Sequence, residues 1–459
     1  MPCSHADDED DDGPSRRDFL RSAVAIGGTS ALSACLQFER DDGEPPETTG
    51  TPTPAETTES LAKQSFPQGV EDPSTLPKGQ HFWQDYLVRD QFGNTVVPQH
   101  QVMLFVDYVG PTPPTKSARQ QVKGAFRTIE RAFQRGTGGD MDAPQHEGLL
   151  FTFGYSPSYF EKVGSSLETM ATDLRRPSTL IEALDETGDV EPVTHDALFH
   201  FGSDFASIVL ATEAALFGEI ESVNGITVES DLTGLFERAE RRSGFSSRGQ
   251  PAIQYDNENI PDESPLALGF KASFADNQPP EEKVTIQNGQ FAGGITQMIS
   301  FTETNVDDWY SENDHPERID QIYTPRHDEE MVGEIGHSLG SSSRKIPEDV
   351  ERLDEDAEKR GIIGHGQKLA QARDDDFDPV VLRRDFNSTV RPGLHGAFWQ
   401  AGIGDFIDTR KAMNSHQFDD EVDDDDHGIR HYIDVKNRAT FLAPPRGERA
   451  LPVIEMGSN

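Results

Sequence analysis

Several groups of residues have types and spacing that could do chemistry. Arg383 and Asp385 follow the apolar run Val380-Val381-Leu382, which reads as a strand. Residues two apart on a strand share a face, so the guanidinium and the carboxylate can pair. At a surface such a pair is worth little. Arg384 points the opposite way, and one of the two arginines is expected at the surface. Among the histidines, His365 stands between Gly364 and Gly366 in a polar stretch and by itself reads as a turn residue. His337 and His395 are its rivals as ligands. Asp423-Asp424-Asp425-Asp426 with His427 and His431 mimics a metal site but reads as a solvated loop, because hard cations need oxygens arranged around one point. Cys35 ends the run Leu32-Ser33-Ala34-Cys35, which resembles a lipobox, where cleavage frees the cysteine and its thiol takes a lipid.

The amino-terminal residues supply the context for that thiol. Ser15-Arg16-Arg17-Asp18-Phe19-Leu20-Arg21 precedes the apolar run Ala23 to Leu32. The pair Arg16 and Arg17 before a weakly apolar core reads as a twin-arginine export signal. The run is too short to cross a bilayer, which takes about 20 residues. That pathway carries folded proteins, often with a cofactor already in place. The other cysteine, Cys3, lies upstream of the expected cut, so no disulfide forms within one mature chain.

The chain has 459 residues, and 41 Lys+Arg against 82 Asp+Glu give a net charge of −41. The excess is spread along the chain, as in proteins of extreme halophiles, where salt screens the self-repulsion. It argues against nucleic acid as a partner, since phosphates are repelled. It also makes acidic clusters weak evidence for sites.

Five domain intervals follow. Residues 1–35 are the signal with its lipobox. Residues 36–80, rich in Thr, Pro and Glu, read as a disordered tether. Residues 81–220 give the order strand, helix, strand, strand, helix: Val102 to Val106, a helix marked by Val122, Phe126, Ile129 and Phe133, then Leu149 to Phe153, Ala197 to Phe201, and a helix from Phe205 to Leu216. Residues 221–265 read as a connection. Residues 266–459 repeat the pattern, with strands at Gly294 to Phe301, Val380 to Leu382, His395 to Trp399 and Thr440 to Phe441-Leu442, and a helix carrying Ile403, Phe406, Ile407 and Met413. The class is α+β: two ferredoxin-like halves with antiparallel sheets packed together, of the dimeric α+β barrel type.

Several segments resemble the dye-decolorizing peroxidase family. The stretch Gly148 to Phe160, with Thr152-Phe153-Gly154-Tyr155-Ser156-Pro157-Ser158-Tyr159-Phe160, is similar to its "TFGxGPxxF" segment, and Asp196-Ala197-Leu198-Phe199-His200-Phe201-Gly202-Ser203-Asp204 to its "DLxxHIxAdd" strand. Leu268-Gly269-Phe270 opens as "GFxDG" does. Val381-Leu382-Arg383-Arg384-Asp385-Phe386-Asn387 resembles "ILRRxxN", and Gly393 to Gln400 resembles "GLxFxxxQ". The matches keep family order from about Gln101 to Phe441. The resemblance implies a haem b in the second half, hydrogen peroxide and a small organic reductant as partners, and peroxidase chemistry. It implies His365 as the ligand of iron and Arg383 as the distal cation. Asp385 is the carboxylate beside it. The sequence departs from the family at Ala272, where the catalytic aspartate belongs, and at Ser273, where glycine belongs. Asp276 is the nearest substitute. The expectation is an exported, lipid-tethered haem peroxidase-like protein on the outer face of the membrane, or secreted. The alternatives are a non-catalytic relative that binds haem or another ligand, and a haem-free surface protein. A cavity filled by Phe398 or Trp399 would favour the last. Asn387-Ser388-Thr389 is a glycosylation triplet, which burial near a haem would block.

Overall fold

The computed structural model describes residues 65–454 apart from 90–94, 137, 141–142, 247–249, 263, 265, 271–277 and 328–345. The signal, with Arg16, Arg17 and Cys35, lies outside the described residues, as do Ala272, Ser273, Asp276 and His337.

The first half is built from β1 (His100–Tyr108), α1 (Lys116–Ala132), β2 (Leu150–Tyr155), β3 (Ala197–Ser203), α2 (Ala206–Leu216) and β4 (Phe236–Phe245). Its strands lie in the order β4-β1-β3-β2 and pair antiparallel. This is the ferredoxin-like arrangement. Val102-Met103-Leu104-Phe105-Val106 is apolar without alternation because both faces of β1 are buried. Phe126 of α1 packs edge-on against Phe153 and Phe199 of the outer face, whose rings stack at 4.1 Å. Thr115 caps α1 by accepting from the Ala118 N–H.

The second half repeats the order with β5 (Ile295–Thr304), the short helices α3 (Val306–Glu312), α4 (His315–Ile322), α5 (Leu353–Arg360) and α6 (His365–Leu369), then β6 (Leu382–Arg383), β7 (Phe386–Ser388), β8 (Gly393–Gln400), α7 (Ile403–Asn414) and β9 (Ile433–Ala443). Its sheet runs β9-β5-β8, with β6 and β7 both on β8. The two sheets join at both edges. Strand β7 pairs with β4 through Gly244↔Ser388 and Phe245↔Asn387, and β9 meets β2 at Leu442↔Tyr155. A closed barrel results. Its interior holds Met103, Phe105, Leu198, Ile299, Phe386, Ala397, Ala439 and Phe441. The expected α+β class with two antiparallel halves is the architecture observed.

Two intervals differ from the sequence reading. The stretch 221–265 contains β4, hidden because its outward side chains are charged. Arg238 pairs there with Glu213 and Glu219, and Arg241 with Glu213, so the strand lacks apolar alternation. Residues 66–80, read as the end of a tether, pack on the domain. The Gln80 side chain donates to the Phe153 and Pro444 carbonyls and accepts from the Phe153 N–H, bridging the β2–β9 seam.

Candidate functional site

The site is set by the two faces of the second sheet. His395, Ala397 and Trp399 of β8 point into the barrel, with Leu382, Arg384 and Phe386 on the neighbouring strands. Phe398 faces outward toward α7, where its ring meets Phe406 at 5.1 Å. Arg383 lies directly opposite Phe398 and shares this outer face with Asp385. The ladder is interrupted between them. The Arg384 N–H donates to the Ala397 carbonyl at 2.8 Å, but the Ala397 N–H donates to Asp385 Oδ1 at 2.9 Å. The side chain thus stands in for a backbone acceptor, which splits β6 from β7 and fixes the carboxylate. The Arg383 N–H is held by Gln278 Oε1 at 2.8 Å.

Arg383 and Asp385 are surrounded by protein, yet each keeps accessible surface, so they line a recess. Among the described residues the Arg383 guanidinium makes no side-chain hydrogen bond or ion pair. Burial drags it below its ordinary value, with Asp385 opposing. Burial raises the Asp385 carboxyl to about 6, with Arg383 pulling the other way. A carboxyl at that value can both take and give a proton near neutrality.

His365 opens α6 and is buried. Its position depends on Gly364, where a Cβ would sit 2.1 Å from the Tyr323 carbonyl oxygen. The flanking glycine is there for this close approach, rather than for an exposed turn. Gln367 ties the helix down, its Oε1 accepting from the Gly364 N–H at 3.3 Å and its Nε2 donating to buried Asp356 at 2.9 Å. His365 Nδ1 is buried without a hydrogen-bond partner, and Nε2 is bonded to nothing among the described residues. Burial, then the charges of Lys368, Arg383 and Arg410, hold the imidazole well below its ordinary range. It is therefore neutral, the form that binds a metal.

Neither arginine of the pair lies at the surface, contrary to expectation. Arg384 is 1% exposed inside the barrel, lies over the Trp399 ring at 5.5 Å and faces Glu281 at 3.4 Å. The expected alternation is present, but both faces of this strand are covered. Arg383 and Asp385 form no salt bridge. His395 sits between Phe301 and Phe386 on the inner face, away from Arg383, which removes it as a rival on this side of the sheet. Trp399 also lies inside the barrel, edge-on to Trp83 at 4.9 Å. Phe398 walls the recess and keeps accessible surface. Asn387 is fully buried, so its triplet is closed to modification in the folded chain. Asp423, Asp424 and Asp425 are exposed, Asp424 pairs with Arg430, and His427 is buried with Nε2 on the Val422 carbonyl.

The residues on either side of 271–277 belong to different parts of this region. Phe270 packs edge-on against Tyr323, whose carbonyl accepts from the Gln367 N–H of α6. Gln278 holds the backbone of Arg383.

Sequence reasoning missed Lys368 and Arg410. Lys368 lies one turn beyond His365, fully buried, with Nζ donating to the His427 carbonyl at 2.6 Å. Arg410 extends the apolar stripe Ile403, Phe406, Ile407 of α7 at helical spacing, which was the available signal. It meets Glu186 at 3.3 Å, while Arg438 grips the same carboxylate at 2.5 and 2.6 Å. One carboxylate thus faces two guanidiniums, leaving a positive excess beside the recess.

A haem needs one neutral imidazole free to bind iron, and its propionates favour nearby cations. His365, unbonded and neutral, meets the first need, and Arg383 and Arg410 meet the second. Among the described residues no group of three or more His, Cys, Asp or Glu side chains could hold a metal ion by themselves.

Residues 98–445, from the start of β1 past the end of β9, match the family of unknown function DUF7405. No curated relative matches the sequence. Similar solved structures include a DyP-type peroxidase from Cellulomonas bogoriensis, 17% identical, covering 80% of this chain and 99% of that one with a TM-score of 0.48. A DyP-type peroxidase from Streptomyces coelicolor is 15% identical over 80% of this chain and 97% of its own, with a TM-score of 0.48. A DypB variant from Rhodococcus jostii in complex with heme is 12% identical over 80% and 97%, with a TM-score of 0.43.

Proposed function

We propose that this chain, which belongs to the DUF7405 family, binds haem b through His365 and reacts with hydrogen peroxide to oxidise a small organic reductant. The observation that carries the reading is the pairing of two unbonded groups. A neutral imidazole and a free guanidinium are both enclosed by the fold, and the imidazole lies within reach of the guanidinium's charge. Unpaired buried groups of this kind cost stability and persist where a site uses them.

The haem would supply the redox chemistry. Arg383 would stabilise negative charge as the peroxide bond breaks, since a fixed cation in a dry recess acts strongly. Asp385 would accept a proton from peroxide and return it to the departing oxygen. It thereby takes over the task left open by Ala272. Phe398 limits water at the recess.

A second reading keeps the haem and drops the turnover, and Ala272 favours it. The twin-arginine motif, Cys35 and the Thr/Pro-rich stretch after it support export and lipid anchoring at the outer face of the membrane, or secretion. The charge of −41 supports a saline setting. No helix among the described residues is long and apolar enough to cross a membrane.

The test is the visible spectrum of the protein in high salt, as purified and with added hemin, beside His365→Ala. A Soret band that the variant loses or shifts supports haem ligation by His365. Peroxide reactivity that disappears in Arg383→Gln supports the peroxidase reading, and a haem band without reactivity supports the second. No Soret band with added hemin overturns both.

A further inference from the structure

The imidazole of His365 is unusual because nothing holds its Nδ1. A histidine that binds a metal through one nitrogen normally donates its other N–H to a carboxylate, a carbonyl or water. That second bond fixes the ring and makes the ligand more basic. Here Nδ1 is buried and has no partner. The position one turn along α6, which shares its helix face, holds Lys368 rather than Asp or Glu. Lys368 forms no salt bridge among the described residues, and its Nζ donates to the His427 carbonyl; burial, then the charges of Arg430 and Arg410, hold it well below its ordinary range, so the position supplies a donor and no acceptor. Arg410 adds charge that its surroundings do not cancel, because Glu186 is already engaged by both oxygens with Arg438. Arg383 adds a second charge within reach of the imidazole.

We infer that, in this chain, iron bound by His365 is poised toward its reduced state by an imidazole without an acceptor behind it and by the cations Arg383 and Arg410. The inference rests on haem binding through His365. Two effects act in the same direction. A less basic imidazole donates less to oxidised iron, and nearby positive charge in a medium of low polarity disfavours the state of higher charge. The consequence is a site that accepts one electron from a mild donor and holds it, a role distinct from the peroxide chemistry proposed above.

The experiment is an anaerobic redox titration of the hemin-loaded full chain in molar KCl, with dithionite as reductant and mediators for equilibration. Parent, Arg410→Gln and Lys368→Gln are compared. Arg410→Gln removes a cation and leaves Glu186 bonded to Arg438. It is expected to lower the reduced-to-oxidised ratio at a fixed potential at least tenfold, about 59 mV for one electron. Lys368→Gln places an uncharged oxygen one turn from Nδ1. It is expected to lower the ratio and to raise the iron–imidazole stretching frequency in the resonance Raman spectrum of the reduced protein. Titrations that superimpose for all three proteins overturn the inference while leaving ligation intact. A haem band indifferent to His365→Ala, or no band, overturns the ligation reading and the inference with it.

Discussion

Asp385 permits a stability prediction that needs no ligand. Burial carries its carboxyl from an ordinary 3.8 to about 6 in the folded chain. The folded state therefore holds the proton to higher pH than the unfolded state does. Below about pH 4 both states are protonated and the group costs nothing. Between about 4 and 6 the folded state binds more protons, so stability falls as pH rises. Above 6 the full cost is in place, about 3 kcal/mol at about 1.4 kcal/mol for each pKa unit. Asp385→Asn removes the charge and keeps an Oδ1 that can accept from the Ala397 N–H. The variant should be more stable than the parent by about 3 kcal/mol at pH 7–8, and the advantage should shrink to nothing near pH 4. Urea unfolding of both proteins at fixed high KCl, from pH 4 to 8, measures the difference directly. Other carboxylates titrate equally in both and cancel. Equal stability at pH 7–8, or a difference that does not vary with pH, would refute the placement of this carboxylate in a buried recess.

Other outcomes follow from the same packing. Arg383→Met should leave the fold as stable as the parent or more so, by about 1–4 kcal/mol in urea unfolding, because it removes a buried charge without a partner; its peroxide reactivity should vanish. Glu281→Ala should cost about 3–5 kcal/mol by the same assay. That buried carboxylate accepts from the Trp83 and Gln84 N–H groups at 2.6 and 2.9 Å and faces the buried Arg384. His395→Phe should leave any Soret band unchanged and add about 1 kcal/mol, since both ring nitrogens are buried without partners between two phenylalanines.

The parts legible in the sequence were those where burial writes a pattern. The apolar runs of β1, β2 and β3 and the stripes of α1 and α2 gave the first half, because each is covered on a predictable face. β4 was missed because ion pairs cover its outer side. The spacing of Arg383 and Asp385 gave their common face from alternation alone. Their depth was not legible, since it comes from α7 covering the sheet. His365 looked exposed because polar neighbours and glycines mark turns, whereas Gly364 is there for contact with the Tyr323 backbone. Lys368 was invisible for a related reason. A lone lysine in an acidic chain reads as surface, and only the tertiary fold places its amine on a buried carbonyl.

The closure of the barrel bears on how the chain is made. β2 is complete once residue 155 has left the ribosome, and its partner across the seam, β9, begins only at residue 433. Until β9 is made, that edge of the first sheet has no partner, and unpaired edges recruit other strands. Gln80, already present, can occupy the Phe153 backbone groups during that interval. The strap around Gln80 would then act as a placeholder, shielding the nascent edge until β9 arrives to share it.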